Sequence, residues 1–259
     1  LGLYGVETLP LGSRGVGYIM VHVVLCLLCF GIAWLIRGEA VTYARSVVIL
    51  AVLTRLALIG VSPFTTHDVH RYTWDGRVVL SGEDPYSVTP NDSELQPLVT
   101  EGWYVAPEHR KYPTIYPPLA LGLFSASAIG GPTLALLIWK ILVTFASIGM
   151  VLVAWRICVA RGCQHHLTWV ALHPIGLLEA GVGAHVDAVA ALGVALALWG
   201  WAHGHARLLG AGIGLGIVLK LSPAVMLAGV LRERSYRQIL VGAGLVVALV
   251  YGVALAVGW

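Results

Sequence analysis

Eight stretches of this chain are apolar for long enough to decide its solvent before any motif is read. They fall at about residues 15 to 36, 46 to 62, 134 to 155, 167 to 183, 188 to 202 and 239 to 258, with two short or broken ones at 118 to 131 and 208 to 231. A membrane span needs about 20 predominantly apolar residues to cross about 30 Å of hydrocarbon. Hydrophobicity runs round all faces of most of these stretches, as expected of helices lying between lipid and protein, and Gly and Ala recur often enough to let helices approach closely. Only 11% of the residues are charged, against roughly a quarter in an average soluble domain. The expectation is an all-α, polytopic transmembrane helical bundle, multi-pass, with residues 1–259 forming one transmembrane domain. The chain opens on Leu1 and closes at Trp259 inside an apolar run, so it is expected to lack sequence at one or both ends.

Charge reports orientation here and not a partner. The net charge is +3, and the basic residues sit in short clusters between apolar runs, a pattern that argues against a nucleic-acid partner. Placing Arg37 and Arg45, Arg156 and Arg161, Arg207, and the group Arg232, Arg234 and Arg237 in the cytoplasm puts segment 63–117 outside, together with His185-Val186-Asp187. That arrangement requires 208 to 231 to return to its starting side, which works if Ser222-Pro223 breaks it into half-helices. Thirteen residues at 1.5 Å each reach only about 20 Å. Cys26 and Cys29 form a C-x-x-C inside an apolar run, without the partner pair a zinc site needs, and read as packing.

Segment 63–117 is the one long polar stretch. It holds Asp68, Asp75, Glu83, Asp84, Asp92, Glu94, Glu101 and Glu108, eight of the thirteen acids, opposed by Arg71, Arg77, Arg110 and Lys111. Tyr72, Trp74, Tyr86, Trp103, Tyr104, Tyr112 and Tyr116 are interspersed, a set suited to a membrane interface or to stacking on sugar rings. Asp68 follows Pro63 by five residues, at the membrane surface where a lipid phosphate would sit. It reads either as a general base oriented by His67 or Arg71, or as the N-cap of the helix that follows. Asp75 pairs as readily with Arg71 at i,i+4 as with a substrate. Lys220 lies in an apolar run, where a lone cation is costly unless it pairs or faces a cavity. It reads as a phosphate partner or as a structural pair with Glu179 or Asp187. Arg55 and Lys140 pose the same choice and lean to snorkelling. His67, His70, His185 and Asp187 carry donors suitable for a divalent metal, without a short-spaced zinc motif, so no cofactor is assigned.

The run His67-Asp68-Val69-His70-Arg71-Tyr72-Thr73-Trp74-Asp75-Gly76-Arg77, then Gly82-Glu83-Asp84-Pro85-Tyr86, then Thr114-Ile115-Tyr116-Pro117-Pro118, resembles the integral membrane GT-C glycosyltransferases. The likeness is nearest to bacterial polyprenyl-phosphate-mannose-dependent mannosyltransferases, whose pattern reads D-V-Y-R-Y-x-W-D-G-R, G-x-N-P-Y and T-I-Y-P-P. His173-Pro174 with Glu179, Gly183-Ala184-His185-Val186-Asp187 and Leu219-Lys220-Leu221-Ser222-Pro223 are similar to that family's later blocks. The order covers about residues 46 to 225. This chain departs at His70, Asp84 and His173, and reads Ala184-His185-Val186-Asp187 where the family has G-H-N-D.

The resemblance implies a GT-C-like bundle in the bacterial inner membrane, with an extracytoplasmic active loop carrying short helices. It implies Asp68 as catalytic base in an inverting transfer of a sugar, mannose by the likeness, from a polyprenyl-phosphate donor to a glycan or glycolipid acceptor. His67, Arg71, Tyr72, Trp74, Asp75, Arg77, Tyr86, Tyr116, His185, Asp187 and Lys220 are the expected substrate-binding residues. Two other classes stay open: a catalytically degenerate scaffold subunit of a larger membrane complex, marked by the departures, and a secondary transporter, marked by the broken helix and buried cations.

Overall fold

The computed structural model describes residues 11–259, and every regular element among them is helical. Helix α1 spans Leu11–Leu35 and α2 Ala40–Ala57, the latter continued by a 3-10 turn at Leu58–Gly60. The polar segment contributes α3 (Asp68–Leu80) and α4 (Gln96–Thr100). Then come α5 (Pro118–Ala128), α6 (Gly131–Arg161), α7 (Leu167–Ala171), α8 (Pro174–Gly181), α9 (Asp187–Ala202), α10 (Ala206–Ile217), α11 (Met226–Val230) and α12 (Tyr236–Ala256). Four helical stretches are long and apolar enough to cross a membrane: Ser13–Leu35, Ala40–Gly60, Gly131–Arg161 and Tyr236–Ala256. Their outward side chains, Leu27, Leu53, Phe145 and Leu249 among them, are exposed large apolar groups. In water such a surface would be a liability, and against lipid tails it is the expected one.

Four of the eight apolar runs are not membrane-length spans, among them 188 to 202, which yields the 16-residue helix α9. The run at 167 to 183, expected as one helix, divides into α7 and α8 because Pro174 has no N–H to donate and holds His173 extended, at φ −58° and ψ 124°. The run at 208 to 231 breaks as expected, α10 ending at Ile217 before a 3-10 turn at Ser222–Val225. The run at 118 to 131 yields an 11-residue helix, about 16 Å long and short of a crossing. Helix α6 is the central post and packs against α2, α3, α5, α8 and α9. Glycines let α9, α10 and α12 lie almost backbone to backbone: a Cβ at Gly210 would sit 2.0 Å from the Ile239 carbonyl oxygen, and one at Gly193 2.7 Å from the Gly216 amide nitrogen.

Arg55 and Lys140 do not snorkel; both are buried. Arg55 donates from Nε to Ser147 Oγ at 2.8 Å and from a terminal nitrogen to the carbonyls of Ala51 and Ala171 at 3.0 and 2.8 Å. Lys140 Nζ donates to the carbonyls of Leu58 and Val61. Arg55 thus ties α2 to α6 and to the C-terminal end of α7, and Lys140 ties α6 to the turn that ends α2.

The polar segment is a folded cap. Trp74, Val78, Leu95, Leu98, Trp103 and Val105 form a small core with Ala128 of α5 and Ala135 of α6. Helix α3 lies so close on α5 that a Cβ at Gly76 would overlap the Phe124 carbonyl oxygen at 2.2 Å. Tyr72, Tyr116, Phe124 and Trp139 complete the contact, with Tyr72 stacked on Phe124 at 4.8 Å and the other rings edge-on.

Candidate active site

Asp68 is the first residue of α3 and not its cap. Its backbone amide donates to Thr66 Oγ1 at 3.1 Å, and His67 holds the cap position without a side-chain cap bond. The carboxylate is thereby released toward its surroundings, and its place in the first turn is favoured by the positive end of the helix dipole. It lies between two imidazoles, with His109 Nε2 3.5 Å from one oxygen and His185 Nδ1 3.5 Å from the other, and remains about a third exposed.

The partners expected from sequence, His67 and Arg71, are engaged elsewhere. His67 Nδ1 meets Glu108 Oε1 at 2.7 Å at the exposed edge, and the imidazole holds the Glu108 carboxyl below its usual range. Arg71 is buried, donating from Nε to Asp75 Oδ1 at 2.6 Å and from a terminal nitrogen to the carbonyls of His109 and Tyr112 at 2.8 and 2.9 Å. Asp75 also accepts from Thr114 Oγ1 at 2.7 Å. Burial pushes the Asp75 carboxyl up to about 6, against the pull of Arg71 and Thr114. Arg71 and Asp75 therefore staple segment 109–114 to α3. That staple is what sets His109 beside Asp68.

The second imidazole is aimed by an unusual turn. Ala184 has φ +49°, the one positive φ at a non-glycine position among the described residues, and such a conformation persists only where its surroundings hold it. The Trp139 indole N–H donates to the Ala184 carbonyl at 2.8 Å, and the His185 amide donates to the Glu179 carbonyl at 3.0 Å. A Cβ at Gly183 would press within 2.6 Å of the His185 ring, so glycine is what admits the ring there. His185 then reaches Glu179 with Nε2 at 3.2 Å, while the Tyr72 hydroxyl stands 3.4 Å from Nδ1. One residue after Val186, Asp187 opens α9 and meets Lys220 Nζ at 2.6 Å, joining the two helix breaks.

A cavity of about 520 Å³ opens here between α6, α8 and α9. Asp68, Ser147, Glu179, His185, Asp187 and Lys220 supply its polar lining, and Met150, Ile175, Ala180, Ala188 and Ala191 its apolar wall. A second cavity of about 430 Å³, lined by Arg14, Tyr18, Phe64 and Thr65, shares Glu179 and His185 with the first. The Glu179 and His185 side chains thus form a partition with a cavity on either side. A carboxylate beside imidazoles can take a proton, and an ammonium group at the same cavity can stabilise an anion.

Of the residues expected to bind substrate, His185, Asp187 and Lys220 line the cavity with Asp68. Tyr72 does not line it: its ring is buried and its hydroxyl stands 3.4 Å from the His185 Nδ1. Trp74 lies in the core of the cap and Arg71 and Asp75 in the buried staple, while Arg77 pairs with Glu101 at 3.0 Å. Tyr86 and Tyr116 are joined, the Tyr86 hydroxyl donating to the Tyr116 carbonyl at 2.8 Å. His70 sits edge-on to Tyr104 at 5.1 Å, and no group of three His, Cys, Asp or Glu side chains gathers as a metal site among the described residues. Asp84 keeps the local role an Asn would have, its side-chain oxygen accepting the Tyr86 amide at 3.0 Å. His109 was not legible in advance, since nothing local distinguishes a histidine 41 residues from Asp68 in a 3-10 turn at Pro107–His109.

Residues 4–233 match the family model described as alpha-(1->6)-mannopyranosyltransferase, N-terminal domain. No curated protein and no solved structure matches the chain.

Proposed function

The chain belongs to the alpha-(1->6)-mannopyranosyltransferase N-terminal-domain family, and from that premise we propose that it transfers mannose from a polyprenyl-phosphate donor, with Asp68 as general base. The family is one of mannosyltransferases, and the four apolar helices mark a membrane protein. The observation that carries the finer reading is the position of Asp68: a part-exposed carboxylate at a cavity whose lining combines apolar side chains with Lys220. Such a lining suits a ligand that is half phosphate and half hydrocarbon.

In this mechanism an acceptor hydroxyl on a glycan or glycolipid gives its proton to Asp68 as its oxygen bonds to the anomeric carbon. The bond from that carbon to the phosphate oxygen breaks, its electron pair leaves with the lipid phosphate, and a single displacement inverts the anomeric centre. Lys220 stabilises the departing phosphate, which shares the ammonium with Asp187. Arg71 is not a phosphate ligand in this mechanism, because the staple engages it; it acts by placing His109. His109 and His185 orient the base. The outer side of a bacterial inner membrane is the assigned location of the cap.

The open cavity supports an enzyme over a degenerate scaffold, for which a filled site would be the mark. The test is transfer in proteoliposomes from polyprenyl-phosphate mannose to a mannoside acceptor. Asp68→Asn is expected to abolish transfer while leaving helicity and thermal unfolding unchanged, and Lys220→Met to weaken use of the donor. Turnover retained by Asp68→Asn would overturn the assignment.

A further inference from the structure

The far end of α6 carries a cavity that the transfer chemistry does not use. It measures about 620 Å³ and runs between the last turns of α6 and α9, lined by Leu152, Val153, Arg156, Val159, Leu196, Trp199 and His203. We infer that this groove binds one anionic phospholipid of the leaflet remote from Asp68, its phosphate on Arg156 and its acyl chain along Leu152, Val153 and Leu196.

Three observations support that occupant. First, the lining is graded along the helices as a lipid is: Leu152, Val153 and Leu196 come about one turn before Arg156 and Trp199, hence deeper in the bundle, with His203 a further turn on. Second, depth agrees. Helix α6 has 31 residues, about 46 Å, so a core of about 30 Å leaves about 8 Å at each end, and Arg156, about 38 Å from the first residue, falls at the headgroup boundary. Trp199 is part-exposed at the same level, as interfacial tryptophans are. Third, charge is complementary. Arg156 makes no ion pair or ring contact among the described residues, whereas its neighbour Arg161 lies over the Trp201 ring at 4.9 Å. The loops that the charge reading places at this end carry Arg37, Arg207, Arg232, Arg234 and Arg237, against Glu39 and Glu233.

A guanidinium donates paired hydrogen bonds to a phosphate, and at a headgroup boundary that bond is only partly screened. A neutral zwitterionic headgroup offers the same phosphate with a cation attached, so the expected signature is a preference and not an absolute requirement.

The test is native mass spectrometry of the detergent-purified chain mixed with phosphatidylglycerol or phosphatidylcholine of identical acyl chains. The wild type is expected to retain one phosphatidylglycerol about tenfold better, the effect of one charged hydrogen-bonded contact. Arg156→Gln should erase the preference, Leu196→Trp should expel both lipids by filling the groove, and Arg161→Gln, equal in net charge to Arg156→Gln, should keep the preference. Asp68→Asn should also keep it, which separates this site from the transfer reaction. The inference fails if Arg156→Gln retains the wild-type ratio, if Arg161→Gln loses it equally, if inorganic phosphate displaces the lipid, or if the groove proves to be filled by a second copy of the chain.

Discussion

Helix α3 carries two aspartates two turns apart, and its two halves have opposite characters. In the first turn, Asp68 is part-exposed, and the imidazoles of His109 and His185 stand 3.5 Å from its two oxygens. In the second and third turns, Asp75 is sealed by Arg71 at 2.6 Å and Thr114 at 2.7 Å, with Gly76 beside it against the α5 backbone. The same side chain is a candidate base in one place and a structural anchor in the other. Solvent and partners make the difference: a loosely paired carboxylate can gain and lose a proton without disturbing the fold, whereas a buried one cannot change partners without leaving a charge uncompensated.

The sharpest way to break the contrast is to exchange its outcomes. Asp68→Asn should lower transfer about 10²–10⁴-fold, the range of general acid–base catalysis, with thermal unfolding in detergent unmoved. Asp75→Ala should reverse that pattern, destabilising by about 3–5 kcal/mol because it strands buried Arg71; the double change Arg71→Met with Asp75→Leu should recover much of the loss. Gly76→Ala should cost about 1–3 kcal/mol by forcing α3 off the Phe124 carbonyl, read in the same unfolding assay.

A smaller effect follows from titration. Burial raises the Asp75 carboxyl to about 6 in the fold, above its ordinary 3.8, so between those values the folded chain holds the extra proton. The stability linked to this group is therefore present at low pH and lost as pH rises through about 6. Unfolding measured at pH 5 instead of 7 should show a gain of about 1 kcal/mol from it, absent in Asp75→Asn. Last, Arg77→Ala, which removes the part-exposed pair with Glu101, should change stability by less than about 1 kcal/mol. A larger loss would move the structural half of α3 outward to its last turn.

Several features that frame the site were readable from the chain. Pro223 marks the break in 208 to 231 because proline acts on its own backbone and the residue before it; Pro174 carries the same signal, yet its run was expected as one helix. The basic clusters put Asp68, His185 and Asp187 on one side, and the 3.5 Å contact between Asp68 and His185 joins them. Other residues gave no such signal. Trp74 and Tyr72 looked like sugar-stacking aromatics and are core. Arg71 looked like a ligand for phosphate and is a staple. Ala184 adopts a backbone conformation that its side chain resists, held by a Trp139 indole 45 residues away.

What the sequence determined by itself is the membrane class, the helical fold and the break at Ser222-Pro223, since long apolar runs and prolines exert their effects within one or two turns. The tertiary structure alone decided which acid of α3 stays near solvent, that His109 and Glu179 join His185 and Asp68, and that Lys220 meets Asp187. Apart from the Glu179–His185 contact, which is local, those outcomes depend on which segments pack within a few ångströms of each other across 33 to 117 residues of chain, and that proximity is set by the whole core and by no local pattern.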